Sequence, residues 1–182
     1  MTDREKKYMS KFLSLILRHK PEAAGITLDA NGWADVDALL KGMNAKRDVP
    51  ITLDAIKEVV STNDKKRFAF NGDFSKIRAN QGHSINVDVE LKEARPPAVL
   101  YHGTAERRVK SIIEDGLKPQ DRIHVHLSTD KETAEKVGRR HGHPAILVVQ
   151  AGRMHDDGFR FYLSENGVWL TDSVPPVYID TN

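Results

Sequence analysis

The sequence predicts an α+β protein in two parts, a mainly helical first half and a strand-rich second half. Three observations carry this. Apolar residues recur at helical spacing through the first sixty or so positions, an Asn-Gly hairpin closes that half, and short apolar runs between turn residues fill the remainder. The junction is Glu90-Leu-Lys-Glu-Ala-Arg-Pro-Pro97, charged and proline-rich, which sets expected domains at 1–90 and 97–182.

Met9, Phe12, Leu13, Ile16 and Leu17 predict an amphipathic helix over about 3–18. It ends in Arg18-His19-Lys20-Pro21, because Pro21 biases the residue before it out of the helical region. Three basic side chains therefore gather at one helix end, placed either to complement the macrodipole or to hold an anion. Ile26–Trp33 reads as a short strand and turn. Asp35 caps a helix carrying Val36, Leu39 and Leu40, and Thr52 caps another with Leu53, Ile56, Val59 and Val60. Arg67–Phe70 and Phe74–Arg78 are strand-like runs joined by Asn71-Gly72-Asp73. Three helices and then a hairpin is the order of a winged-helix unit, which binds nucleic acid in some proteins and is a scaffold in others. Arg78–Ser84 follows as a polar loop.

In the second half Val99–Thr104 reads as a buried strand ending in a turn. Thr104 is placed to cap a helix with Val109, Ile112 and Ile113 inward and Gly116 at its end. Arg122-Ile-His-Val-His-Leu-Ser128 alternates at period two, with Ile123, Val125 and Leu127 on one face and Arg122, His124, His126 and Ser128 on the other. That polar row has no carboxylate and suits a wall facing an anion. Thr129-Asp-Lys-Glu132 fits a capping box for a helix to about Arg140. Ala145–Gln150, Phe159–Leu163, Gly167–Thr171 and Val177–Ile179 complete a compact mixed sheet with two helices.

Composition removes several classes. Apolar content of 39% and charged content of 30% are those of a folded protein rather than a disordered one. Without cysteine there is no disulfide, thiolate nucleophile or cysteine-based zinc site. Gly-x-Gly-x-x-Gly, Gly-Lys-Ser/Thr and Gly-x-Ser-x-Gly are all absent. His124/His126 and His141/His143 form two His-x-His pairs, but Arg122 opposes a dication and neither pair contains a carboxylate, so no metal is expected. No apolar run approaches a membrane span and the start lacks a signal-peptide core, so a cytoplasmic protein is expected. A monomer is expected because no coiled-coil repeat occurs.

Leu17-Arg18-His19, Lys65-Lys-Arg67-Phe68, Gln81-Gly-His83-Ser84, His102-Gly103-Thr104 and Arg122-x-His-Val-His-Leu-Ser128 stand in one order along nearly the whole chain. In that order and spacing the sequence resembles the NAD-dependent RNA 2′-phosphotransferases of the KptA type. The resemblance implies an N-terminal winged-helix lobe that binds RNA phosphate, a C-terminal ADP-ribosyltransferase-like lobe that binds NAD, and a site in the cleft between them. It implies that an internal RNA 2′-phosphate, as in tRNA splicing or RNA repair, displaces nicotinamide from the NAD ribose. The neighbouring 2″-hydroxyl then attacks the phosphate, releasing 2′-hydroxyl RNA and ADP-ribose 1″,2″-cyclic phosphate.

By the same resemblance Arg18, His19, Arg67 and Arg122 are the catalytic set, with the arginines clamping phosphate. His19 is either a donor or a proton carrier. His102, Gly103, Thr104 and Ser128 fall in the NAD-binding blocks, and Gln81, His83 and Ser84 face the phosphate or nearby nucleotides. NAD is consumed as co-substrate and no metal is implied. Protein-modifying ADP-ribosyltransferases carry a glutamate on a late strand, where this sequence places Val168 and leaves Glu165 in the preceding turn. The competing reading is a mono-ADP-ribosyltransferase acting on nucleic-acid terminal phosphates or on protein. The sequence leaves the roles of His124, His126, Arg139 and Arg140 open.

Overall fold

The computed structural model describes residues 1–181. Met1–Glu90 forms one compact unit and the chain from Leu91 onward another. The chain is α+β, and each unit has its own apolar core.

In the first unit α1 spans Asp3–Arg18, and a capping box between Thr2 and Glu5 starts it. Its buried face is Met9, Leu13, Ile16 and Leu17, followed by Arg18 itself. A 3-10 turn at Pro21–Ala24 closes on Gly25, whose φ of 63° is left-handed. β1 is Ala34–Asp35, α2 is Val36–Asn44 and α3 is Leu53–Ser61, and the side chains of Asp35 and Thr52 cap the two helices. β2 (Phe68–Phe70) and β3 (Lys76–Ala79) form the hairpin, and β1 adds to it in the antiparallel order β1-β3-β2. The predicted strand within Ile26–Trp33 does not form. Asp29 Oδ1 accepts from the backbone N–H groups of Asn31 and Trp33, both at 3.0 Å. That side chain takes donors a ladder would have needed.

The second unit begins with β4 (Lys92–Glu93) inside the segment expected to be a bare junction, where it pairs with a later strand. β5 spans Leu100–Ala105, α4 Glu106–Asp115, β6 Val125–Leu127 and α5 Lys131–Gly138. Then come β7 (Pro144–Val149), α6 (Ala151–Asp156), β8 (Phe161–Leu163), β9 (Trp169–Thr171) and β10 (Ile179–Thr181). Two antiparallel sheets result, β10-β7-β5 and β4-β8-β9-β6. Reciprocal 2.8 Å backbone bonds between Tyr101 and Ser128 join them. Around this joint lie the fully buried Leu100, Leu127, Leu147 and Phe161.

Several local expectations change. Thr104 lies inside β5 and Ala105 takes the N-cap of α4 with no side-chain bond. Asp130, not Thr129, caps α5 by accepting from Thr133 N at 2.7 Å. Ile113 is exposed, leaving Ile112 and the partly buried Val109 as the inward residues of α4. α6 went unforeseen because it is one short element directly after a strand. No helix among the described residues is long and apolar enough to cross a membrane.

β5 and α5 pack so closely that Gly103 has no room for a side chain. A Cβ there would lie 1.7 Å from the Ala134 carbonyl oxygen and 2.9 Å from Gly138 N. Both neighbours are backbone and cannot swing aside. Gly103→Ala is expected to cost about 3 kcal/mol or more through overpacking, read as a lower denaturation midpoint of the second unit by circular dichroism in urea.

Candidate functional site

In the first unit the residues singled out by sequence converge on one loop, Asn80–Ser84. Ser84 N donates to the Arg18 carbonyl at 3.0 Å, and Ser84 Oγ lies 2.8 Å from His19 Nδ1. At the other end of the loop Asn80 N donates to the Arg67 carbonyl at 2.9 Å. The C-terminal end of α1 and the start of β2 are thus tied to the same few residues. Gly82, at φ 90°, makes the bend between the two ties. Arg18 is only 7% exposed although it ends a helix, whereas His19 and Arg67 are half-buried.

Within the loop Gln81 and His83 are buried rather than presented to solvent, and Ser84 is exposed. His83 Nε2 has no hydrogen-bond partner among the described residues. Burial first, and then the positive charge of Arg18, His19 and Arg78, pulls the His83 imidazole from its ordinary 6.5 down to about 4. It is neutral at physiological pH. Arg78 is occupied elsewhere, stacked 4.4 Å over Trp33 and paired with Glu90 at 3.2 Å. An open cavity of about 450 Å³ in this unit is lined by residues such as Pro21, Leu28, Ile85 and Val87 and includes none of the predicted site residues.

In the second unit the Tyr101–Ser128 joint sets His102 beside the end of β6. His102 Nδ1 donates to the His126 carbonyl at 3.0 Å, which fixes the ring and puts its proton on that nitrogen. Burial lowers the His102 pKa, opposed by this bond and assisted by the nearby charges of His141 and Arg108. His102, Gly103 and Thr104 run within β5, not in a turn at its end, and Thr104 is buried. Val168 precedes β9, its N–H bound to Ser164 Oγ at 3.0 Å.

Arg122 lies before β6, which starts only at Val125, in a turn where its own N–H bonds the Pro119 carbonyl at 3.1 Å. Its side chain is exposed by surface area, yet desolvation and then the charge of Arg140 disfavour its protonated form. A guanidinium stays charged regardless. Of the residues left open by sequence, Arg140 is therefore a charge neighbour of Arg122, and Arg139 pairs with Glu135 one helical turn back. His124 faces Asp172 at 3.7 Å and the Tyr162 ring. His126 contributes its carbonyl to His102. Among the described residues, no cluster of three or more His, Asp or Glu side chains is arranged to hold a metal ion.

The profile of the RNA 2′-phosphotransferase, Tpt1/KptA family matches residues 3–173. The chain belongs to this family. It is 55% identical over 180 residues to a "Probable RNA 2′-phosphotransferase" of Flavobacterium johnsoniae, covering 99% of this chain and 98% of that one. The protein of the same description from Hahella chejuensis is 54% identical over 177 residues, covering 97% and 95%. That from Rhodopirellula baltica is 55% identical over 171 residues, covering 93% and 92%. The matched span contains every site residue expected from the sequence.

Two residues that the family motifs did not bring forward also shape this region. Asn63 Oδ1 accepts from Arg67 N at 3.3 Å, and Asn80 Nδ2 donates to the Lys66 carbonyl at 2.6 Å. The available signal was weak, one asparagine ahead of β2 and another directly after β3.

The His83 shift has a stability consequence. Unfolding returns the ring to its ordinary value, so between about 6.5 and about 4 the unfolded chain holds a proton that the native chain does not. Native stability therefore falls as pH falls through that window. The full effect is on the order of 3 kcal/mol for this one group. His102 and His124 are shifted in the same direction and add to it. His83→Gln is expected to make the unfolding free energy less steep by close to one proton at about pH 5, measured by urea titrations across the acid range.

Proposed function

We propose that this protein removes an internal 2′-phosphate from RNA by transferring it to NAD, with Arg18, His19, Arg67 and Arg122 acting on that phosphate. The observation that carries the reading is the convergence of Arg18, His19 and Arg67 on Asn80–Ser84 in a member of this family. In this reading the first unit is a winged-helix lobe serving the RNA, and the second is an ADP-ribosyltransferase-like lobe serving NAD.

A phosphate monoester is already an anionic nucleophile at neutral pH, so the first step needs positioning and charge stabilisation rather than a base. Arginine suits both needs, being permanently charged, planar and able to grip two oxygens. NAD supplies the accepting ribose and nicotinamide as leaving group. The second step requires removal of the proton from the 2″-hydroxyl. His19 is suited to take it on Nε2, because the Ser84 hydroxyl engages Nδ1, as acceptor or donor, and leaves the other nitrogen to the substrate side. If Nδ1–H donates to Ser84, Nε2 is the basic nitrogen.

His102, Gly103, Thr104 and Ser128 are assigned to NAD. The positive charge of Arg108 beside His102 suits a dinucleotide's pyrophosphate. Gly103 serves packing against α5, so its contribution to NAD is through its backbone. Gln81 is assigned to RNA, whereas His83 acts from beneath the site and Ser84 acts through His19.

Incubation of the protein with NAD and a 2′-phosphorylated oligonucleotide, with products resolved by mass, tests the reaction. Nicotinamide, 2′-hydroxyl RNA and ADP-ribose 1″,2″-cyclic phosphate are expected. An ADP-ribosylated nucleic acid persisting as the final product would instead establish a mono-ADP-ribosyltransferase. Arg122→Ala is expected to lower turnover by roughly 100-fold or more with an unchanged denaturation midpoint. Full activity in that variant would remove Arg122 from the set.

A further inference from the structure

Arg67 enters β2 through a backbone that needs holding. Lys66 before it sits at φ 42°, in the left-handed region that a β-carbon disfavours. Such a conformation is strained and persists where the surroundings over-determine it. Two asparagines do so here. The Asn63 carbonyl accepts from Lys66 N at 2.9 Å and its Oδ1 from Arg67 N at 3.3 Å, while its Nδ2 donates to Ser10 Oγ at 3.0 Å. Asn80 grips from the opposite strand, N to the Arg67 carbonyl at 2.9 Å and Nδ2 to the Lys66 carbonyl at 2.6 Å.

The side-chain bond of Asn80 is not part of the hairpin ladder. The β2–β3 register ends at Phe68 opposite Ala79, and the Asn80–Arg67 backbone bond already lies one step beyond it. The amide group then reaches one residue further, to Lys66. Asn80 is 7% exposed, so this bond is shielded from water. Fixing the carbonyls on either side of the Arg67 Cα fixes the direction in which its side chain leaves the backbone. The same loop carries Ser84, which holds Arg18 and His19.

We propose that Asn80 is a positioning residue for phosphate transfer, setting the direction of Arg67 and its spacing from Arg18 and His19. This rests on the reading that Arg67 acts on the phosphate. Asn80→Ala retains the backbone bond and removes only the amide. It is expected to lower kcat roughly 10- to 100-fold, with KM for NAD unchanged within about twofold.

The deciding measurement is a double-mutant cycle with Arg67→Ala. If Asn80 acts through Arg67, adding Asn80→Ala to Arg67→Ala costs less than about twofold more. Losses that multiply, or wild-type kcat in Asn80→Ala, would overturn the proposal. Asn80→Asp keeps the shape but turns the donor into an acceptor facing the Lys66 carbonyl, and serves the same cycle should the alanine variant fail to fold. A wild-type protein that leaves the 2′-phosphate in place would overturn the reading of the reaction instead. Amide exchange then decides the role of Asn80 alone: faster exchange at Lys66 and Arg67 in the variant supports it, and unchanged exchange overturns it.

Discussion

Cationic groups gathered in one place repel, and the first unit brings Arg18 and His19 close enough to depress the same imidazole while tying Arg67 to the same loop. Among the bonds that set their backbone and ring positions are those with backbone carbonyls and with neutral amide and hydroxyl groups. Ser84 holds the Arg18 carbonyl and the His19 ring, and Asn80 holds the carbonyls of Lys66 and Arg67. Carboxylates in those places would have neutralised the charge and competed with a phosphate for it. Neutral partners at these points fix geometry without adding a competing negative charge there.

His83 belongs to the same logic. A buried ring between cations would add a like charge if protonated, and burial together with those cations keeps it neutral. The second unit meets a related need by different means. Two short sheets are joined at Tyr101 and Ser128, and that joint places His102 where a backbone carbonyl sets its tautomer. The close approach of α5 behind β5, possible only with Gly103, makes the strand carrying His102 a rigid support.

The α+β class was legible because it rests on long periodic patterns. The stripe through Met9, Leu13 and Ile16, the caps at Asp35 and Thr52 and the Asn-Gly hairpin are local signals that tertiary context did not override. The misses occurred where a single side chain or a distant strand decided the outcome. Asp29 captured backbone donors and cancelled a strand, and β4 formed only because β8 offered it an edge. At the site, charge and spacing brought forward the arginines and histidines. They could not distinguish a side chain facing solvent from one underneath. His83 carries the same residue type as His19 yet is fully enclosed, and Asn80 and Asn63 matter through bonds to residues distant in sequence.

Three departures from local rules lie together. A buried arginine ends a helix, a lysine occupies left-handed backbone, and a buried imidazole has one nitrogen without a partner among the described residues. Each is unfavourable by itself, and each lies at or beside the loop that ties Arg18, His19 and Arg67. A core selected for stability alone would shed such features, since apolar replacements of similar volume cost less to bury. Left-handed backbone also occurs at Phe74, Glu90 and Gln120 and a buried unpartnered nitrogen at His155 among the described residues, but at this loop the three kinds of departure coincide, the pattern expected where stability is traded for preorganised charge. In the proposed reaction a phosphate bound here would add its binding free energy to native stability, so substrate affinity and stability would be linked at this loop.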